Sequence, residues 1–216
     1  QNLAGREQLL RFYDMQTDSM GRAWLSSNQG LWLADHMRDT VIHFHQAGQS
    51  GKGLRHNLVK SFLIDNSNHL WVGFNGDGLQ VFSGESMDVL YNSDVEFPSV
   101  QINDLTLTAS GQVLAATPEG LVRIDPGCFE WQLFGKFDGL PAQSIESGLF
   151  SSFDGTIYVP FMNRYHLFHE NELQLYFGNF KINITGFSIN GADQPLAVLN
   201  RAYPEVLLSH RNNNLS

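Results

Sequence analysis

An internal repeat constrains the fold of this chain more than any other feature of its sequence. Four segments each contain a turn, a short apolar strand, a second turn and a further strand, and the second turn contains glycine in the first three segments. The large apolar residue of the first strand recurs as Trp24, Trp71, Leu114 and Tyr158, at spacings of 47, 43 and 44 residues. A period of about 40 to 50 residues is typical of the blades of a β-propeller. The sequence therefore predicts four successive blades.

Each repeat also contains two further apolar runs, one before the first turn and one after the second strand. The runs are four to six residues long and are bounded by Gly, Asn, Asp or Ser, which favours strands over helices. The runs before the turn are Leu9–Tyr13, Ser61–Ile64, Ile102–Leu107 and Ile145–Phe150. The runs after the second strand are Val41–Phe44, Met87–Tyr91, Phe129–Phe134 and Leu173–Phe177. Each repeat is therefore predicted to be a four-stranded antiparallel meander.

A single sheet of this kind cannot bury both of its apolar faces, whereas sheets stacked around a common axis bury both against their neighbours. The predicted fold class is all-β: a partial β-propeller of four four-stranded blades at about residues 1–46, 47–92, 93–136 and 137–181. The alternative is a generic β-sandwich whose repeat spacing is a coincidence. An open arc of blades exposes the apolar face of a terminal blade. We therefore expect further blades of the same polypeptide, or a second copy of the chain, to cover that face.

Composition excludes several classes of partner. The chain has 216 residues, 42% of them hydrophobic and 16% charged, which is ordinary for a globular protein. Its 13 Lys and Arg against 22 Asp and Glu give a net charge of -9, so the surface repels polyanions and no nucleic acid partner is expected. No apolar run approaches the roughly 18 residues that span a bilayer, so attachment to a membrane is expected only through a helix outside this segment. The single Cys128 forms no internal disulfide.

The second repeat resembles a known family. The run Asp65–Phe74 (DNSNHLWVGF), followed by Gly78 and Leu79, is similar to the repeat of the periplasmic sensor propellers of hybrid two-component regulators, best known from gut Bacteroidetes. The Gly-Leu pairs at 53–54 and 139–140 are similar to the lead-in to strands in that family. The resemblance implies rings of seven blades, so residues 1–181 are expected to form four blades of a larger ring.

The tail supports the same resemblance. The run Ile182–Gly191, followed by Pro195–Leu196 and Val206–Ser209, is similar to the opening strands of the Ig-like β-sandwich, or Y_Y_Y domain, that follows the last propeller in these sensors. The resemblance therefore implies that residues 182–216 are the beginning of such a sandwich, which the sequence does not complete.

The geometry of a meander predicts where a ligand binds. The turn after each first strand and the turn after each third strand lie at one end of the blades, and the other connections lie at the opposite end. The longer connections lie at the opposite end, and binding residues concentrate on loops that a rigid scaffold holds. The candidate ligand-binding residues there are Arg55, His56, Asn57, Asn75, Asp77, Glu119, Asn163, Arg164 and Tyr165. Their chemistry fits a sugar, since amides and charges bond to hydroxyl groups and an aromatic ring packs on a sugar ring. The alternative for Asn75 and Asp77 is a purely conformational role in their turn.

The resemblance implies an extracytoplasmic ligand-sensing segment of a hybrid histidine kinase and response regulator, in the periplasmic portion of an inner-membrane protein. The expected ligand is an oligosaccharide, and the expected signal is a rearrangement of a homodimer. We expect no catalytic residue, metal or cofactor in this segment. Two alternatives stay open: a propeller enzyme of the streptogramin-lyase type that uses His56 and Glu119 as acid–base groups, and a propeller that serves as a scaffold for protein interactions.

Overall fold

The described residues fold into antiparallel sheets that follow one another in chain order. The computed structural model describes residues 9–46, 53–141, 144–162, 164–173, 187–189 and 192–194. The first sheet contains β1 (Phe12–Thr17), β2 (Ala23–Ser27), β3 (Gly30–Asp35) and β4 (Thr40–Phe44), and the second contains β5 (Val59–Ile64), β6 (His69–Phe74), β7 (Leu79–Ser83) and β8 (Val89–Asn92). The third contains β9 (Asp104–Leu107), β10 (Val113–Ala116), β11 (Leu121–Ile124) and β12 (Trp131–Phe134). The fourth contains β13 (Phe150–Ser151), β14 (Thr156–Phe161) and β15 (Arg164–His169), and short 3-10 turns lie at Lys136–Asp138 and Glu170–Glu172.

The predicted all-β propeller class is confirmed by the way these sheets stack. The first strands of successive sheets lie against one another: β1 against β5, β5 against β9 and β9 against β13. Side chains connect them, because Gln16 Nε2 donates to Phe62 O at 2.9 Å and Gln16 Oε1 accepts from Ile64 N at 3.2 Å. Ser61 Oγ likewise donates to Asp104 Oδ1 at 3.0 Å. Meanders whose first strands are adjacent are the blades of a propeller.

The first strand of the first blade begins later than predicted. β1 begins at Phe12 rather than Leu9. The backbone N–H of Arg11 donates to the side chain of Asn28, at 2.8 Å from Oδ1, and Asn28 N donates to Arg11 O at 3.1 Å. Residues 9–11 are therefore held by a turn of the same blade, and they belong to the loop end of the blade rather than to its first strand.

The predicted strand Ile145–Phe150 is wrong except for its last residue, where β13 begins. Gly148 N and Leu149 N donate to Asp104 Oδ2 at 2.6 and 3.0 Å. Apart from Glu146 N, which donates to Pro160 O of β14 at 3.3 Å, this segment is therefore bonded mainly to the third blade, and it does not continue the ladder of the fourth. The last strand predicted for the fourth blade, at 173–177, lies outside the described residues beyond its first position.

Buried apolar residues fill the spaces between successive blades. Between the first two blades lie Trp24, Leu31, Phe62, Leu70 and Phe82. Between the second and third lie Trp71, Val81, Ile102, Leu105 and Val113, and between the third and fourth lie Leu114, Leu121, Phe134, Ile157 and Val159. Each fully buried side chain of this size contributes about 1.5 to 3 kcal/mol. At Gly73 the blades approach so closely that a Cβ atom would lie 2.6 Å from Ile102 Cγ2.

The two terminal blades each leave one face exposed. In the first blade, Met15, Leu25 and Trp32 are paired across β1, β2 and β3 on the face opposite to Trp24, and Met15 is 64% exposed. We call these three residues the outer row of blade 1. In the fourth blade, Phe150, Tyr158 and Leu167 are paired in the same way, and Phe150 and Leu167 are 56% and 53% exposed. These three residues are the outer row of blade 4.

A buried hydrogen bond fixes the first turn of each of the first two blades. Trp71 Nε1 donates to Asp65 Oδ2 at 2.8 Å, and Trp24 Nε1 donates to Asp18 Oδ2 at 3.1 Å. Burial raises the pKa of Asp18, but hydrogen bonds from the Arg22 backbone, Trp24 and the Arg22 guanidinium outweigh it and hold the pKa below its ordinary value of 3.8. Each aspartate also accepts two backbone N–H groups of its own turn. One carboxylate therefore closes the turn and satisfies the buried indole.

The chain divides into two compact units, Gln1–Leu175 and Tyr176–Ser216. In the second unit, β16 (Phe187–Ile189) and β17 (Ala192–Gln194) pair antiparallel, with Ser188 opposite Asp193. They flank residues 190–191, where the sequence has an Asn-Gly pair typical of a hairpin turn. The other strands predicted for this unit lie outside the described residues, so its assignment to an Ig-like sandwich stays a prediction.

We expect Asp65→Ala to lower the free energy of unfolding by about 2 to 4 kcal/mol, because it leaves the indole N–H of Trp71 and two backbone donors without an acceptor. The double variant Asp65→Thr with Trp71→Leu reproduces Thr108 and Leu114 of the third blade. Its free energy of unfolding should fall by about 1 kcal/mol less than the sum of the decreases caused by the two single changes. Urea denaturation measures both. The control is Thr108→Val, which removes one acceptor and should cost about 1 kcal/mol. Strict additivity of the two changes would show that the pair is not coupled.

Candidate ligand-binding site

Two clefts open at the end of the blades where the sequence predicts ligand binding. The first has a volume of about 610 Å³ and is lined by Leu9, Arg11, Tyr13, Asn28, Gln29, Gln46, His56, Asn57 and Leu58. The second has a volume of about 380 Å³ and is lined by Arg55, Gly76, Asp77, Gly78, Ser93, Asp94, Ser99 and Val100. Both volumes lie within the range of about 300 to 1,000 Å³ that is usual for small-molecule sites. We call them the first and second clefts.

Two of the predicted site residues, His56 and Asn57, line the first cleft. Leu58 N donates to His56 Nδ1 at 3.0 Å, and Gln46 N donates to Asn57 Oδ1 at 2.6 Å. A backbone N–H can only donate, so the neutral imidazole of His56 carries its hydrogen on Nε2. The Nδ2 group of Asn57 also keeps its donors, since it donates to no atom among the described residues. Both side chains are therefore held in place through one atom and retain a donor.

The first cleft also contains residues that the sequence did not single out. Arg11 and Asn28 hold each other through the backbone of Arg11, as described above, and Asn28 Nδ2 donates to Leu9 O at 3.0 Å. Tyr13 is the extra residue of a β-bulge, because Phe12 pairs with Ser27 and Asp14 pairs with Ser26. Bulges commonly redirect a side chain next to a binding site. The repeat itself could have identified Arg11. The 47-residue offset between Trp24 and Trp71 makes Arg11 the equivalent of Leu58, at the loop end of its blade.

The second cleft contains Arg55 and Asp77. The guanidinium of Arg55 donates hydrogen bonds to two neighbouring loops. Arg55 Nη1 donates to Asp77 O at 2.9 Å, and Nη2 donates to Ser93 O at 2.9 Å. A third bond joins Nη1 to Ser93 Oγ at 3.3 Å. In the turn at 75–78 it is Gly76 and Gly78 that have positive φ, at 115° and 69°. Asn75 and Asp77 therefore do not supply the left-handed conformation of that turn themselves.

The remaining predicted site residues are not brought together. Asn75 is exposed and forms a bridge with Gln101, and Glu119 is exposed on the corresponding turn of the third blade. Arg164 and Tyr165 are exposed at the beginning of β15. None of these four residues lines the first or the second cleft. Asn163 lies outside the described residues.

The described part of the chain contains neither a cluster of metal-ligating side chains nor a helix that could span a membrane. No group of three or more His, Cys, Asp or Glu side chains is placed to hold a metal ion within the described ranges. No helix among the described residues is long and apolar enough to cross a membrane.

The stacked meanders define the class of this protein as a β-propeller protein, represented by four consecutive blades. Over 72% of its length the chain is similar to the extracellular domain of a candidate hybrid two-component system from B. thetaiotaomicron, with 26% sequence identity and a TM-score of 0.61. The alignment covers 21% of that structure, so the chain spans about a fifth of the protein that it matches. This similarity confirms the resemblance to the sensor regions of Bacteroidetes hybrid two-component regulators.

Two other solved structures share the fold alone. The WD40 propeller domain of Doa1 is 16% identical, with a TM-score of 0.52, over 68% of this chain and 47% of that one. Virginiamycin B lyase from Staphylococcus aureus is 10% identical, with a TM-score of 0.52, over 77% of this chain and 57% of that one. No family model matches the sequence, and no curated protein matches it.

We expect Arg55→Ala to lower the free energy of unfolding by about 1 to 3 kcal/mol, because the three bonds that its guanidinium makes to Asp77 and Ser93 are lost. The matched control is Arg164→Ala, which removes an exposed guanidinium that makes no bond to the described residues and should change stability by less than about 0.5 kcal/mol. Urea denaturation measures the difference. Equal effects of the two variants would show that Arg55 is not a structural tie between these loops.

Proposed function

We propose that this chain is the ligand-sensing part of the extracytoplasmic region of a hybrid histidine kinase and response regulator, located in the periplasm. The observation that carries the proposal is the similarity to the extracellular domain of a candidate hybrid two-component system, at 26% identity and a TM-score of 0.61. The predicted beginning of a sandwich domain after the blades fits the same assignment. The chain performs no chemistry in this role, because its task is to bind.

The proposed ligand is an oligosaccharide that binds at the loop end of the blades. The first cleft supports this choice, since it offers the Nδ2 group of Asn57, the ring of Tyr13 and the charged group of Arg11. Sites for small polar ligands combine an apolar or aromatic surface with a few placed polar groups. The enzyme alternative has less support, because Glu119 lines neither the first nor the second cleft and the described lining of the first contains no carboxylate to pair with His56.

The proposed signal is a change in the arrangement of a homodimer. A ligand shifts such an equilibrium only by the difference between its affinities for the two arrangements. A site formed by residues from two blades fits this requirement if the two arrangements of the proposed homodimer differ in the relative position of those blades. The first cleft is of this kind, since Tyr13 belongs to the first blade and Leu58 leads into the first strand of the second.

The proposed cover for the two outer rows is further blades of the same polypeptide. The outer rows of blades 1 and 4 present apolar side chains of the same kind that fill the spaces between the other blades. Each exposed row buries a comparable apolar area when another blade packs on it, and the ring closes without an exposed sheet face.

Isothermal titration calorimetry of the chain against a panel of neutral and acidic oligosaccharides tests the ligand class. We expect at least one member to bind with a dissociation constant in the micromolar to millimolar range, which corresponds to about -8 to -4 kcal/mol, and to be recovered unchanged. Turnover of a bound glycan that is abolished by His56→Ala or Glu119→Gln would favour the enzyme instead. A stable complex with a protein, combined with no binding by any glycan, would favour the interaction scaffold.

Hydroxyl-radical labelling of the protein as its gene encodes it tests the cover on the outer rows. We expect Met15 to be oxidised at least about tenfold more slowly than Met37, because a neighbouring blade excludes water from it. Met37 is the matched control, since it is 80% exposed in a turn at the edge of the first blade, whereas Met15 is 64% exposed in the chain by itself. Similar oxidation rates at the two methionines would contradict the presence of a covering blade.

A further inference from the structure

The charges around the first cleft differ from those of the chain as a whole. The chain carries 22 acidic residues and a net charge of -9. The described lining of the first cleft nevertheless contains one arginine, one histidine and no carboxylate. The second cleft is different, because Asp77 and Asp94 line it and its arginine is bonded to the loops. The described lining of the first cleft therefore carries a positive charge from its arginine, on a chain that is acidic as a whole.

Arg11 supplies the charge of the first cleft, and its guanidinium bonds to none of the residues that the structure describes. The backbone of Arg11 is fixed on both sides, because its N–H and C=O groups both bond to Asn28. No hydrogen bond or ion pair joins its guanidinium to any of the described residues, whereas Arg22 and Arg38 each pair with an aspartate. An arginine whose base is fixed and whose head lies at a cleft is suited to bidentate bonds with a carboxylate or sulfate group.

Two neighbours complete a surface for a charged sugar. His56 holds its Nδ1 on the N–H of Leu58, which leaves Nε2 as a second donor at the same cleft. The ring of Tyr13 is 44% exposed and stacks on no other ring within the described residues. A phenol ring of this kind provides a flat apolar surface, and its hydroxyl group remains able to bond.

We propose that the first cleft binds an acidic oligosaccharide, one that carries a carboxylate or a sulfate group. Arg11 binds the anionic group, His56 and Asn57 donate to oxygens of the ligand, and a sugar ring packs on Tyr13. This inference rests on the proposed function and names the class of ligand for that same site. Neutral oligosaccharides leave the guanidinium without its partner and bind more weakly.

The test is calorimetry of the chain at low ionic strength with paired trisaccharides. Uronic acid trisaccharides are compared with their methyl esters, and sulfated trisaccharides with their desulfated forms. We expect a carboxylated or a sulfated member to bind, and its neutral counterpart to bind about tenfold to a hundredfold more weakly, as for the loss of one charge-assisted pair. Which pair shows the difference identifies the anionic group.

Variants of two arginines test whether the ligand binds in the first cleft. Arg11→Ala should weaken binding of the acidic ligand about tenfold to a hundredfold, and Arg11→Lys should weaken it less. The control is Arg38→Ala, which removes the same charge from a side chain that is 72% exposed at the opposite end of the blade and should leave affinity unchanged. Circular dichroism and urea denaturation verify that each variant folds.

The outcomes separate this inference from the proposed function. If a glycan binds equally well in its charged and neutral forms, or if Arg11→Ala and Arg38→Ala have the same effect, the first cleft is not an acidic-sugar site, but glycan sensing stands. If no neutral or acidic glycan binds at all, the oligosaccharide ligand itself is wrong, and this inference is wrong with it.

Discussion

Every blade of this protein has two apolar faces, and the need to bury both determines the rest of the structure. A β-sheet in water can be stable with one apolar face covered, but two apolar faces require a neighbour on each side. The first strands of the sheets therefore lie side by side, and large side chains such as Trp24, Trp71 and Leu114 fill the spaces between them. Among the described residues, the first and fourth blades have a neighbour on one side only, so each has an exposed apolar row on its other face. A ring of blades would cover both rows.

The variation among the repeats follows from hydrogen bonding to a buried indole. Where the first strand has tryptophan, the turn before it has an aspartate six residues earlier, as in Asp65 and Trp71. In the third repeat Thr108 and Leu114 occupy the same positions, and Thr108 Oγ1 accepts the backbone N–H of Gln112 and also bonds to Ser110 Oγ. A buried carboxylate without the indole loses one of its donors, and a buried indole without the carboxylate loses its acceptor. The two residues therefore change together, which makes the third blade look degenerate although its architecture is the same.

Much of the fold could be predicted from the sequence, because spacing and apolar patterns record local structure. The recurrence of Trp24 and Trp71 gave the blades, and short apolar runs gave most of the strands. The errors fall where backbone groups bond to distant side chains: Asn28 holds the chain at Arg11, and Asp104 holds the segment at Gly148. Such bonds join residues that are distant in sequence, so no periodic pattern predicts them. The sequence accordingly predicts Arg11 within a strand and not among the candidate site residues, although it lines the first cleft.

At the loop end of the blades, bonds that hold the loops lie beside the cleft that receives the ligand in the proposed function. Bonds between distant residues, such as those of Arg55 to Ser93, fix loops that have little regular structure of their own. The first cleft lies beside these loops and takes residues from the first blade and from the connection that begins the second. A ligand that contacts only one rigid blade binds equally well however the blades are arranged, and it therefore transmits nothing. A ligand that bridges Arg11 and His56 gains or loses contacts when the two blades shift, so its binding energy can favour one arrangement over another.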